Sequence, residues 1–196
     1  MKEILKPGAV LLIICVIAAF ALGMVNELTA DRIADQRAAK NEVAKQAVLP
    51  TAASFTDLGE DALATVVADY APVTGVYIGV DASGATVGYV FKSTPSGFGG
   101  PVEVITGIDM EGNITGLRIG SHSETPGLGA KSVEPAFYEQ FAGKSADTYV
   151  GVSKTSAEGN DIQAITGATI SSSAIVSGVN ASIDAYHMLV EGGNGN

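Results

Sequence analysis

Cysteine occurs once and histidine twice in these 196 residues. The single thiol, Cys15, excludes an intramolecular disulfide and a thiolate-cluster metal site. Two imidazoles, His122 and His187, are too few for a histidine-rich metal centre. Any redox chemistry must therefore come from a cofactor that needs neither. Basic side chains are also scarce: 11 Lys and Arg stand against 21 Asp and Glu, for a formal net charge of -10. Nucleic acid is a poor partner for such a chain, because its affinity comes from cations neutralising phosphates. Charged residues of both signs make up only 16%, below the roughly 25% of typical soluble domains. Walker A, GxGxxG and His-Glu-x-x-His patterns are absent. His122 lies beside Ser121 and Ser123 in sequence, but adjacency does not make a catalytic triad. His187 falls late in a helical pattern and reads as structural.

What the chain has is a long apolar run. Residues 1–6 (MKEILK) form a short tail, and residues 7–26 (PGAVLLIICVIAAFALGMVN) carry no charge. Twenty helical residues span roughly 30 Å, the thickness of a bilayer's hydrocarbon core. The run is too long and too apolar for an ordinary core helix. Against a cleaved leader, the apolar stretch continues through its one loose cleavage pattern, Ala19-Phe20-Ala21. One uncleaved transmembrane helix is the expectation. Lys2 and Lys6 favour a cytoplasmic amino terminus and an outer carboxy-terminal domain, against Arg32, Arg37, Lys40 and Lys45 beyond the span. Residues 27–50 continue as a helical stalk rich in Ala, Leu, Lys, Arg, Glu and Gln. Its weak face, with Leu28, Ile33, Ala34, Ala38 and Ala44, docks on a partner or packs on its own domain. Leu49-Pro50 ends it.

Residues 51–191 read as an α+β domain, a twisted antiparallel sheet with packed helices. Runs at 73–80 and 85–91 form a hairpin across Asp81-Ala-Ser-Gly84, and runs at 102–108 and 114–119 form a second pair. A short helix is predicted from Pro135 to Ala142, stopped by Gly143, and a strand near Tyr149 to Ser153. A long helix from about Ser171 to Val190 follows the spacing of Ile175, Val179, Ile183, Tyr186 and Val190. Residues 192–196 (GGNGN) are a polar, flexible tail.

Three glycine-marked segments carry the chemistry. In Ile165-Thr-Gly-Ala-Thr-Ile-Ser-Ser-Ser173 a strand-like piece meets Gly167 and then a helix start. Unpaired N–H groups and the positive dipole end stabilise phosphate there. Gly167 and Ala168 permit close approach, while Thr166, Thr169 and Ser171 offer hydroxyls. Ordinary helix capping by one of these hydroxyls is the competing reading. In Ser121 to Lys131, Glu124, Thr125 and Lys131 supply a carboxylate, a hydroxyl and a cation within a tight loop, or simply a solvated turn. Gly97-Phe-Gly-Gly-Pro101 presents Phe98 as a stacking platform or as a loop tip.

Taken together, these segments resemble the covalent FMN-binding domain family. Thr166-Gly-Ala-Thr169 resembles its flavinylation motif, with Glu124-Thr-Pro-Gly-Leu-Gly129 plus Lys131 and Gly97 to Pro101 as two further hallmarks. Behind one amino-terminal span, this order is similar to the G-subunit family of the Rnf ion-translocating electron-transport complexes. The C subunits of sodium-pumping NADH:quinone reductases are the related family. The resemblance implies FMN joined by a phosphoester to Thr169, with Thr166, Gly167, Ala168, Ser171, Glu124, Thr125, Leu128 and Lys131 around it. It implies electron relay within a ferredoxin:NAD oxidoreductase complex, other subunits as partners, and maturation by a flavin transferase. One departure stands out: the family often places an acidic residue three before the motif, where this chain has Gln163. Two other classes compete, a pilin-type surface protein and a flavin module with a sensing role.

Overall fold

The computed structural model describes residues 2–193, so the tail expected over 192–196 lies outside the described residues from Asn194 on. Contacts divide the chain after Glu42. Helix α1 runs over Lys2–Val48. From Pro7 it contains a stretch long and apolar enough to cross a membrane, with none of the most apolar window buried. In the first unit, Leu28 and Ile33 of the expected stalk face are exposed.

The second unit begins with the last turns of α1 and is built on five antiparallel strands. They are β1 (Ser54–Asp57), β2 (Val73–Val80), β3 (Thr86–Ser93), β4 (Val104–Asp109) and β5 (Ile114–Ile119), neighbours in that order. A short helix α2 (Glu60–Asp69) links β1 to β2. After β5 come a 3-10 turn over Gly129–Val133, a four-residue helix α3 (Pro135–Tyr138), and two short parallel strands, β6 (Val152–Ser153) and β7 (Ile162–Gln163). Helix α4 (Thr169–Gly193) closes the chain.

Strand alternation gives the sheet two apolar faces. On one face Phe91, Val104, Ile108 and Leu117 meet Ile175, Val179 and Ile183 of α4, with Val66 of α2 alongside. On the other, Val90 and Ile105 meet Val48, Leu49 and the half-buried Ala44 at the end of α1. Here the sequence-predicted strands and long helix are present, with α4 starting two residues earlier than expected. The predicted helix after Pro135 is an α-helical turn followed by a 3-10 turn over Glu139–Phe141. β1 and α2 were not foreseen.

Antiparallel register explains where the functional loops gather. Val104 at the start of β4 pairs with Ile119 at the end of β5. The loop before β4 and the loop after β5 therefore leave the sheet side by side. Bonds from Glu103 N–H to Ser121 O and from Gly120 N–H to Glu103 O, both 2.8 Å, extend that pairing outward.

Candidate functional site

The turn before α4 is short and is fastened at both ends, at Ile165 and at Ala168. Gly167 takes φ +79°, a conformation that favours glycine. Ala168 N–H reaches Ile165 O at 2.9 Å and closes the turn. The first intrahelical bond is Ser172 N–H to Ala168 O, 3.0 Å. This leaves the N–H groups of Thr169, Ile170 and Ser171 ahead of the helix's own carbonyls. Ala168 immediately precedes the helix and has no side chain with which to cap it. Ser172 does not cap either. Its hydroxyl accepts Ile165 N–H and donates to Ala168 O, each 3.0 Å, fastening the turn to the helix.

The second segment is shaped by Pro126-Gly127. Gly127 has φ +79°, and Thr125 O accepts Leu128 N–H at 3.1 Å, the arrangement of a type II turn. The third segment is a tight loop in which Gly97 N–H reaches Gly100 O at 2.8 Å and Val102 N–H reaches Pro95 O at 2.9 Å. It lifts Phe98 out to 69% exposure.

Glu124 joins the three segments. Its carboxylate is 5% exposed. Ser171 Oγ donates to Oε2 at 2.6 Å, and Gly99 N–H donates to Oε1 at 3.1 Å. Around it lies a cavity of about 310 Å3 lined by Phe98, Glu124, Thr125, Leu128, Gly129, Gly167, Ala168, Thr169, Ile170 and Ser171. Seven of the nine sequence-predicted residues are thus brought together: Thr169, Gly167, Ala168, Ser171, Glu124, Thr125 and Leu128. Thr166 and Lys131 line a second cavity of about 240 Å3 with Glu134, Phe137, Gln140 and Gln163. Gln140 and Gln163 bridge there, through Gln163 N–H to Gln140 Oε1 at 2.7 Å. Gly129 and Ile170 were missed as lining residues, although both sit inside the quoted motifs. Thr169 is half-buried, and among the described residues its hydroxyl has no hydrogen-bond partner. The cavity wall contains no Lys or Arg side chain. Donors come from the helix start and the Thr hydroxyls, and apart from the carboxylate of Glu124, whose two oxygens are already bonded, the walls are small or apolar.

A family model of the FMN-binding domain matches residues 97–184, which hold all three segments. A model of the RnfG N-terminal region matches residues 1–45. The chain is 43% identical to the G subunit of the Na(+)-translocating ferredoxin:NAD(+) oxidoreductase complex of Acetobacterium woodii, over 96% of this chain and 94% of that one. The chain belongs to the RnfG family. A second member, the G subunit of the ion-translocating oxidoreductase complex of Methanosarcina acetivorans, is 35% identical over 93% of this chain and 94% of its own length. Among solved structures, the C subunit of the Na(+)-translocating NADH-quinone reductase of Parabacteroides distasonis superposes with a TM-score of 0.50 at 27% identity, over 59% of this chain and 61% of that one. Shewanella oneidensis NqrC, at 16% identity and a TM-score of 0.51, covers 60% of each chain and shares the fold. This RnfG-family chain therefore carries an FMN-binding domain whose matched span encloses the larger cavity and the helix start beside it. The pilin-type reading is not favoured by these matches.

Proposed function

We propose that this chain is the membrane-anchored flavoprotein subunit of an ion-translocating ferredoxin:NAD oxidoreductase complex, with FMN esterified through its phosphate to Thr169. One observation carries the reading: the unpartnered hydroxyl of Thr169 opens on a cavity of about 310 Å3 at a helix start preceded by Ala168, which has no side chain able to cap it. The residues present fit the group. The N–H groups of Thr169, Ile170 and Ser171 and the dipole end of α4 favour a phosphate without a cationic side chain. Gly167 and Ala168 keep the approach to Thr169 narrow in bulk and open to a ligand. Phe98, Leu128 and Ile170 offer apolar surface to a planar ring, and Thr125 adds a hydroxyl at the rim. Thr166 and Lys131 flank the same turn from the second cavity. Bound FMN supplies reversible electron transfer, and the protein sets its position and environment.

The relatives named above are subunits of complexes, so we assign this chain no complete catalytic cycle alone. Its partners are the other subunits of such a complex and, during maturation, a flavin transferase. Residues 7–26 span the membrane once and residues 1–6 are cytoplasmic. Residues 27–50 are the stalk, and residues 51–191 hold FMN on the extracytoplasmic side.

Mass spectrometry of the Thr169 peptide, from protein made in its native host or alongside a flavin transferase, tests the attachment. The peptide should carry the FMN mass, and the denatured protein should fluoresce in a gel. Thr169→Val should abolish both signals. A bare Thr169 in flavin-containing protein overturns the phosphoester.

A further inference from the structure

We infer that Glu124 is a positioning residue, a carboxylate latch that fixes the Phe98 loop against the first turn of α4 and so sets the shape of the flavin cavity. The inference rests on the flavin reading above. A buried carboxylate is costly unless donors surround it. Glu124 meets that requirement with one donor from each wall of the cavity, Gly99 N–H on Oε1 and Ser171 Oγ–H on Oε2. Among the described residues no Lys or Arg pairs with it. Each oxygen is already engaged by the protein, so the side chain acts through the two walls it joins.

The glycines around it are explained by the same contact. A Cβ on Gly97 would overlap Glu124 Oε1 and approach Val102 Cγ2 to 2.8 Å. A Cβ on Gly129 would overlap Oε2 and approach Ser171 Oγ to 2.5 Å. These two glycines clear the space for the carboxylate. Phe98 lies between Gly97, which packs on that carboxylate, and Gly99, which donates to it. The ring has no aromatic neighbour among the described residues, so its place follows from the loop backbone that Glu124 holds.

The test uses the full-length, flavin-loaded protein in detergent and reads iodide quenching of the attached flavin's fluorescence. Glu124→Ala and Phe98→Ala should each raise the quenching constant by about twofold or more, and the double variant should rise no further, because changes acting through one contact are not additive. Glu124→Gln should stay in the wild-type range. Its amide oxygen still accepts from Gly99, and its NH2 can donate to Ser171 Oγ. Gly99→Ala attacks the latch from the other side, since a Cβ there would come within 2.8 Å of the Ser123 carbonyl carbon. It should raise quenching too, and it decides the matter if Glu124→Ala does not fold. Additive effects, or a Glu124→Gln as exposed to iodide as Glu124→Ala, overturn the latch and point to a charge acting on the flavin itself. A Gly99→Ala indistinguishable from wild type also overturns it. Wild-type protein without attached flavin overturns the flavin reading beneath it, which the denatured gel reports separately.

Discussion

Thr169, Ser171 and Ser172 stand within four residues, and hydrogen bonding sorts them. Ser172 is committed to the turn through Ile165 and Ala168. Ser171 is committed to Glu124. Thr169 is left with a hydroxyl available to a ligand, which is what singles it out from its neighbours in the proposed attachment. A different residue, Asp81, shows what such bonding does to a charge. Its carboxyl is held below the ordinary value of 3.8, first by the Ser83 hydroxyl, then by the N–H groups of Ala85 and Ser83. The folded pKa lies below the unfolded one, so the stabilisation is fully present above pH 3.8 and is lost as pH falls through the folded value. Asp81→Asn should therefore lower the melting temperature at pH 7, modestly because the site is exposed. Thermal melts followed by circular dichroism should find the gap closing in acid. A gap of equal size on both sides of that range assigns the effect to turn geometry instead.

The end of α1 is seated on the sheet by a row of glycines. Gly79 and Gly88 face each other across β2 and β3, and Gly107 and Gly116 across β4 and β5. A Cβ on Gly79 would overlap the Leu49 side chain, and one on Gly88 would lie 3.1 Å from it. On Gly107 a Cβ would come within 2.8 Å of the Val48 carbonyl carbon, and on Gly116 within 3.1 Å of Val48 Cα. Thr115 Oγ1 donates to Val48 O beside them. Gly107→Ala presses on backbone, which cannot rotate away, and should cost about 1–3 kcal/mol. Urea unfolding of the detergent-solubilised chain measures this, and a midpoint equal to wild type removes the seat as a stabilising contact. The row also marks the limit of what the sequence discloses. β2 to β5 and α4 were legible because alternation, turn residues and three-to-four spacing are local signals. β1 was not, since it has four residues with only Phe55 partly covered. α2 does carry three-to-four spacing in Leu63, Val66 and Tyr70, which pack on the core, but it spans only ten residues and the signal is easily passed over. The site motifs were legible as segments. Their junction at Glu124 was not, because its two partners lie 25 and 47 residues away in the chain.

Charge is unevenly placed along the whole molecule. Residues 1–42 hold five basic and five acidic side chains, so the entire net charge of -10 belongs to the rest. Anionic lipids concentrate on the cytoplasmic leaflet and attract basic segments, which leaves no electrostatic reason for the acidic domain to lie there. Orientation itself depends on few charges. Lys2 and Lys6 precede the apolar run, whereas Arg32, Arg37 and Lys40 follow it, interleaved with Asp31 and Asp35. Acidic neighbours count little in the charge rule, so two lysines and the terminal amine stand against Arg32, Arg37, Lys40 and Lys45, and the charge count alone does not set the proposed orientation. A membrane-impermeant thiol reagent can read the result. Glu158 is exposed, and Glu158→Cys should be labelled in right-side-out vesicles without detergent, while the native Cys15, inside the apolar run, should resist. Adding Lys2→Glu and Lys6→Glu to that variant should reduce the labelled fraction. Labelling of Glu158→Cys only after the vesicles are opened would place the acidic domain in the cytoplasm and reverse the proposed topology.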